Sequence, residues 1–293
     1  MTTFDFTKMY QNMKRITAIT CALFLATGFT GTAQQVAPKV TVTDSEKTPD
    51  SQWRGRRVAF LGDSMTDPRR VGTTCIYWEY LTELLGIKPL VYGINGNQWD
   101  GIYNQAVKLH NEKGTDVDAI LIFAGTNDYN QGIPVGAFFS ETMKQVNVNG
   151  KLVIRKYRTP ILTDSTFCGR INKVMTYLKN NFPQQQIILM TPIHRGYAKF
   201  GGDNVQPDEN YCNGQGLYFD AYIDALKQSA SYWAVPLIDL YSLSGLFPLA
   251  DAQVQYFHDK ETDRLHPNAA GDYRLAKTIQ YRLLALPSSF VGK

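Results

Sequence analysis

The chain has 293 residues, with 30 Lys and Arg against 26 Asp and Glu for a net charge of +4, and 44% of it is hydrophobic. That length and apolar content suit one globular domain with a sizeable core and exclude a disordered or fibrous chain. No long basic run interrupts the mixed charges, which excludes the footprint of a nucleic-acid-binding protein.

In chain order, Met13-Lys14-Arg15 makes a short basic start, residues 16–29 are largely apolar, and Gly31-Thr32-Ala33 supplies small residues for cleavage. This pattern reads as a secretory signal peptide over residues 1–33, too short for a membrane span. Export to the periplasm or the extracellular space is therefore expected, with no stable membrane span after cleavage. The removed segment carries Lys8, Lys14, Arg15 and Asp5, so the mature chain keeps a net charge of only +2. Residues 34–56 are polar, include Pro38 and Pro49, and read as a disordered leader. Cys75, Cys168 and Cys212 remain, which allows either one disulfide with one free thiol or three unpaired thiols.

From residue 57 onward, strand-like and helix-like patterns alternate. Strands are expected at 57–61, 89–92, 119–124, 187–190 and 236–239. Continuous apolar runs such as Ala119-Ile120-Leu121-Ile122-Phe123-Ala124 suit strands covered on both faces, as in a parallel sheet. Helices are expected at 74–85, 99–111, 163–181, 216–233 and 267–284. The first places Ile76, Tyr80, Leu81, Leu84 and Leu85 on one stripe and stops at Gly86; the last opens with Pro267 in its first turn. The order predicts a three-layer α/β/α sandwich on a five-stranded, mainly parallel sheet, with functional loops at the strand C-termini. One segment breaks the alternation. Asn149-Gly150 between two alternating runs predicts a β-hairpin insertion over about 144–160, expected to project from the catalytic rim.

Four polar motifs sit where the strands end. Gly62-Asp63-Ser64 follows the first, Gly93-Ile94-Asn95-Gly96 the second, and Gly125-Thr126-Asn127-Asp128 the third; Asp263-Arg264-Leu265-His266-Pro267 precedes the last helix. Ester cleavage needs a nucleophile, a base and donors for an oxyanion. Ser64 is the candidate nucleophile, leaving a buried strand beside a small residue that lets substrate approach. His266 is the candidate base, and Asp263, three residues earlier, can fix its tautomer through Nδ1. Asp259 is a rival partner without that local spacing. The amides of Ser64 and Gly93 and the side-chain amide of Asn127 are the candidate oxyanion donors. His194, Tyr129 and Trp99 fall in loops at the same edge and are candidate substrate contacts. The four histidines are scattered and no Cys-x-x-Cys occurs, so neither a metal nor another cofactor is expected.

These motifs resemble the SGNH (GDSL) hydrolases, whose four blocks carry Ser, Gly, Asn and His. Gly62-Asp63-Ser64 resembles the first block, Gly93 the second, Gly125-Thr126-Asn127-Asp128 the third, and Asp263-x-x-His266-Pro267 the last. Two positions depart from the pattern: Met65 stands where Leu is usual, and Val91 stands where Asn often precedes the second-block glycine. The resemblance spans about residues 57–284. It implies a flavodoxin-like α/β/α fold and metal-free ester hydrolysis through an acyl-enzyme. Together with export and the loop aromatics, the resemblance to deacetylating members of that family implies acetyl or other short acyl groups on glycans as the ester substrate. A lipid acylhydrolase is the alternative enzyme, and a non-catalytic glycan-binding protein on the same fold the alternative of another class.

Overall fold

The computed structural model describes residues 36–287 and residue 290. The signal peptide expected over residues 1–33 lies outside the described residues. Five parallel strands make the central sheet: β1 (Arg57–Gly62), β2 (Lys88–Val91), β3 (Ala119–Phe123), β6 (Gln186–Met190) and β9 (Leu237–Ile238). They lie in the order β2-β1-β3-β6-β9. The chain first builds β2 to one side of β1 and then crosses to build β3 on the other. Loops after β1 and β3 therefore diverge and leave a crevice at the sheet's C-terminal edge.

Alternation along the strands supplies two cores. Val58, Phe60, Leu121, Phe123, Ile188 and Met190 meet α1 (Tyr77–Leu85) and α7 (Ala269–Ala285) on one face. Ala59, Leu61, Ile120, Ile122 and Leu189 meet α2 (Trp99–Lys113), α4 (Phe167–Asn181) and α5 (Phe219–Trp233) on the other. The expected three-layer α/β/α sandwich is what forms, and every strand of the central sheet is parallel. Helix α1 stops as its sequence predicts, with Gly86 at φ +68°, a left-handed position that glycine adopts without penalty.

Four details differ from expectation. The described part of the leader, residues 36–56, packs on the domain: Trp53 is fully buried in the α1/α7 core and its Nε1 donates to the Leu283 carbonyl at 2.9 Å. Pro267 ends a strand, β11 (Asp263–Pro267), and Asn268 caps α7 instead, its side-chain oxygen accepting from the amides of Ala270 and Gly271. A second sheet, unforeseen because its strands are two to five residues long, pairs β10 (Phe257–Asp259), β11, β7 (Ala198–Lys199) and β8 (Val205–Gln206). The hairpin is longer than expected, with β4 (Phe139–Val148) paired to β5 (Lys151–Pro160) through a turn at Asn149 (φ +52°) and Gly150 (φ +83°). Nor does it leave from the catalytic rim. Phe139 packs edge-on against Tyr232 at 4.3 Å, near the C-terminal end of α5, and that helix runs away from the strand C-termini. A short helix, α3 (Thr126–Asn130), follows β3, and another, α6 (Leu240–Leu243), follows β9. Among the described residues all three cysteines are unpaired, Cys75 and Cys168 buried and Cys212 exposed.

Candidate active site

Gly62 closes β1, and α2 grips it. Its N–H donates to Gln105 Oε1 and its carbonyl accepts from Gln105 Nε2, each at 2.8 Å. A Cβ there would lie 2.4 Å from Thr66 Oγ1 and 2.7 Å from the Phe123 carbonyl oxygen, so this close approach requires glycine. The amides of Thr66 and Asp67 both donate to the Asp63 carbonyl at 3.0 Å, coiling the chain so that Ser64 stands at the strand end. Burial pushes the Asp63 carboxyl up to about 7, against the Met65 amide and the charges of Arg70 and Arg195.

The other half comes from β11. Asp263 Oδ1 accepts from the amides of Leu265 at 3.2 Å and His266 at 3.0 Å, bending the chain so that two side chains three residues apart meet. His266 Nδ1 lies 3.0 Å from Asp263 Oδ2 and 3.2 Å from Oδ1, and its Nε2 lies 2.8 Å from Ser64 Oγ. Hydroxyl, imidazole and carboxylate thus form one chain, joining loops 202 positions apart. Burial alone would raise the Asp263 carboxyl. Hydrogen bonds from the His266 ring and amide and from His258, with the His266 charge, outweigh it and hold the group down to about 2. Asp259, the rival partner, instead accepts from the amides of Glu261 and Thr262 at 2.7 Å and closes the β10–β11 turn.

The loops after β2 and β3 close on the same place. Asp67 Oδ2 accepts the Asn95 amide at 2.8 Å, tying the Ser64 turn to the β2 loop. A Cβ on Gly93 would sit 2.6 Å from Thr66 Cβ and 2.7 Å from its carbonyl carbon, so the two loops touch backbone to backbone. Asn127 Nδ2 donates to the Asn97 carbonyl at 3.0 Å, which commits one of its two N–H bonds and leaves the other. Behind it, Asp128 accepts from the Trp99 amide and pairs with Arg170 at 2.9 Å. Such a layout brings a hydroxyl, an imidazole with its carboxylate, and the loops that carry Gly93 and Asn127 together at one edge of the sheet.

The GDSL-like Lipase/Acylhydrolase family model matches residues 60–274. The chain belongs to that family. No curated protein matches the sequence. A solved protein from Lactobacillus plantarum is 27% identical, covering 78% of this chain and 97% of its own, with a TM-score of 0.62. A "possible lipase" from Chitinophaga pinensis is 20% identical over 79% of this chain and 100% of its own, with a TM-score of 0.58, a likeness of fold.

Two of the three expected substrate contacts in this GDSL-family hydrolase are corrected by burial. Trp99 is 1% exposed, donates through Nε1 to the Ala124 carbonyl at 3.3 Å, and packs edge-on against Phe167. Tyr129 is 4% exposed, its hydroxyl donating to the Tyr211 carbonyl at 2.5 Å and its ring lying under Arg195 at 5.1 Å. Each is a core residue because its α-helical position points inward. His194 stays partly open: Nδ1 meets Glu209 Oε1 at 2.5 Å, and its ring stacks on Tyr241 at 3.7 Å. Three residues that sequence reasoning missed also stand here. Phe200, 41% exposed, lies 5.3 Å from the His266 ring, and Phe247, 43% exposed, 5.1 Å from the His194 ring. His258 places Nδ1 3.0 Å from Asp263 Oδ2. Only its two-strand pairing brings it there, a contact with no sequence pattern. No group of side chains suited to a metal ion occurs among the described residues.

Proposed function

We propose that this protein is an exported serine esterase that works through an acyl-enzyme, with Ser64 as nucleophile, His266 as base and Asp263 as the partner of His266. The observation that carries this reading is the 2.8 Å contact between Ser64 Oγ and His266 Nε2, continued at 3.0 Å to Asp263. His266 takes the hydroxyl proton as Ser64 attacks the ester carbonyl, and the buried Asp263 carboxylate stabilises the imidazolium that forms. The amides of Ser64 and Gly93 and the Asn127 side chain receive the charge on the tetrahedral oxygen. His266 then gives its proton to the leaving alcohol. Water, activated by the same imidazole, releases the acid and restores Ser64.

The substrate reading is an acetyl or short acyl ester on a glycan. Phe200 and Phe247 offer exposed aromatic faces beside His266 and His194, and Tyr197 is 37% exposed one residue before Ala198, which pairs with Asp263 across β7 and β11. Flat apolar rings with open faces suit sugar rings. The test pairs p-nitrophenyl acetate and acetylated xylan turnover with a fluorophosphonate probe. Hydrolysis of both and a probe adduct on Ser64 support the reading. No adduct on Ser64 removes the serine mechanism, and turnover confined to long-chain p-nitrophenyl esters transfers the function to lipid acyl chains.

A further inference from the structure

The β4–β5 ribbon is the largest feature that the proposed chemistry leaves unused. Its register runs without interruption from Phe139↔Pro160 to Val148↔Lys151, a ribbon about 34 Å long at ~3.4 Å per residue. Beyond its root nearly every residue is exposed. A two-stranded hairpin with both faces in water is marginal by itself. Yet the register puts Met143, Leu152 and Ile154, 63%, 65% and 68% exposed, on one face, and Val146 and Tyr157, 44% and 50% exposed, on the other.

Its charge is equally one-sided. Lys144, Lys151, Arg155, Lys156 and Arg158 accompany one carboxylate, Glu141. Lys156 takes that carboxylate at 3.0 Å, and Arg158 lies over the Phe139 ring at 4.5 Å. Lys144, Lys151 and Arg155 share the Val146 and Tyr157 face with no carboxylate, and Lys144 sits directly opposite Arg155. Like charges facing each other across a ribbon destabilise it, so this face is built to meet an anion from outside.

Carboxylates to meet it stand on α5, the helix against which the ribbon's root packs. There Phe139, Glu141 and Arg158 line a cavity of about 630 Å³ together with Ala221, Ala225 and Gln228 of α5. Asp220 and Asp224, exposed and one position before those alanines, stand on the side of α5 that reaches Tyr241 and have no ion-pair partner among the described residues. A flat lipid surface would cover only one face of the ribbon, whereas two apolar faces fit a partner that closes around it.

We propose that the hairpin is a dimerisation arm that lies along α5 of a second copy, with Lys144 and Arg155 against Asp220 and Asp224. In a two-fold pair each copy gives one arm and receives one. Residues 139–160 alone then approach the roughly 20–30 residues a side of a stable interface. Nothing in this proposal depends on the esterase reading.

Sedimentation velocity of the full chain at micromolar concentration tests it. The expected result is a dimer whose dissociation constant rises at least about tenfold in Leu152→Glu/Ile154→Glu and in Lys144→Glu/Arg155→Glu. Adding Asp220→Lys and Asp224→Lys to the second variant should restore the dimer, which separates lost complementarity from lost folding. A monomeric wild type, a dimer indifferent to both arm variants, or a charge swap that restores nothing overturns the proposal. So does a monomer that sediments with phosphatidylglycerol vesicles, which would assign the arm to lipid.

Discussion

His258 Nδ1 lies 3.0 Å from Asp263 Oδ2, the same oxygen that His266 Nδ1 meets at 3.0 Å. One carboxylate therefore orients two imidazoles, and His258 acts on the proposed base through it as a positioning residue. His258→Ala should lower kcat about tenfold or more, in line with the ~1.5–3 kcal/mol of a hydrogen bond to a charged group, with KM little changed. The acid limb of the kcat/KM profile should also move to higher pH, because Asp263 then serves His266 alone. His258→Gln, which keeps a donor, should recover part of the rate. An unaltered pH profile in the alanine variant would show that His258 only fills space.

Ser64→Ala should reduce p-nitrophenyl acetate turnover by at least about 10³-fold, with the melting temperature nearly unchanged because one small hydroxyl is lost. Asn127→Ala should cost about 10²–10³ in kcat with a smaller effect on KM. The Asn97 carbonyl loses its side-chain donor in this variant, so the melting temperature should fall slightly. A large fall in melting temperature with only a small loss in kcat would mean that Asn127 acts by bracing the loop.

Gly93→Ala tests whether the β2 loop must touch the Ser64 turn. The added methyl would sit 2.6 Å from Thr66 Cβ and 2.7 Å from Thr66 backbone carbon, and neither can yield without moving the Ser64 turn. Overpacking of this kind costs about 1–3 kcal/mol. Both the urea midpoint and kcat should drop together. A stable variant with full turnover would place the oxyanion site away from Gly93.

The central sheet was legible because its strands are short unbroken apolar runs and its helices carry apolar stripes, patterns set by two-sided burial. The motif residues were legible because Ser64, Gly93 and Asn127 stand where such a strand pattern stops, and Asp263 and His266 where the last helical pattern begins. What escaped depends on partners remote in sequence. Trp53 looked like part of a polar leader, and only the α1/α7 core and the Leu283 carbonyl, the latter 230 positions away, make it a core residue. Trp99 and Tyr129 sat at the correct edge, but an edge position does not say whether a ring faces the crevice or the core. Pro267 fitted a helix start equally well as a strand end, and the choice fell to its pairing with Phe257.

Trp53→Ala should destabilise the protein by about 3–5 kcal/mol, the range for losing a fully buried large aromatic, through the cavity and the lost hydrogen bond to the Leu283 carbonyl. Urea unfolding followed by far-UV circular dichroism measures it. Removal of residues 36–56 should have at least the same effect. A truncated chain as stable as the parent would mean that this segment contributes no net stability despite its buried tryptophan.

Asp263 gives the fold a pH dependence whose sign is fixed. Its carboxyl is held at about 2 in the fold, below the ~3.9 of an unfolded chain. As pH falls the unfolded chain takes up the proton first, so the contribution is complete above about pH 4 and disappears as pH drops through about 2. The shift corresponds to roughly 2 kcal/mol for this buried group. In Asp263→Asn the contribution is absent at every pH. The stability gap between parent and variant, from urea unfolding, should therefore narrow by about 1–2 kcal/mol between about pH 5 and pH 2. Buried carboxyls elsewhere, such as Asp63, cancel in that difference because both proteins carry them. A gap that stays constant across the range would mean that His266 and His258 do not hold the Asp263 charge in place.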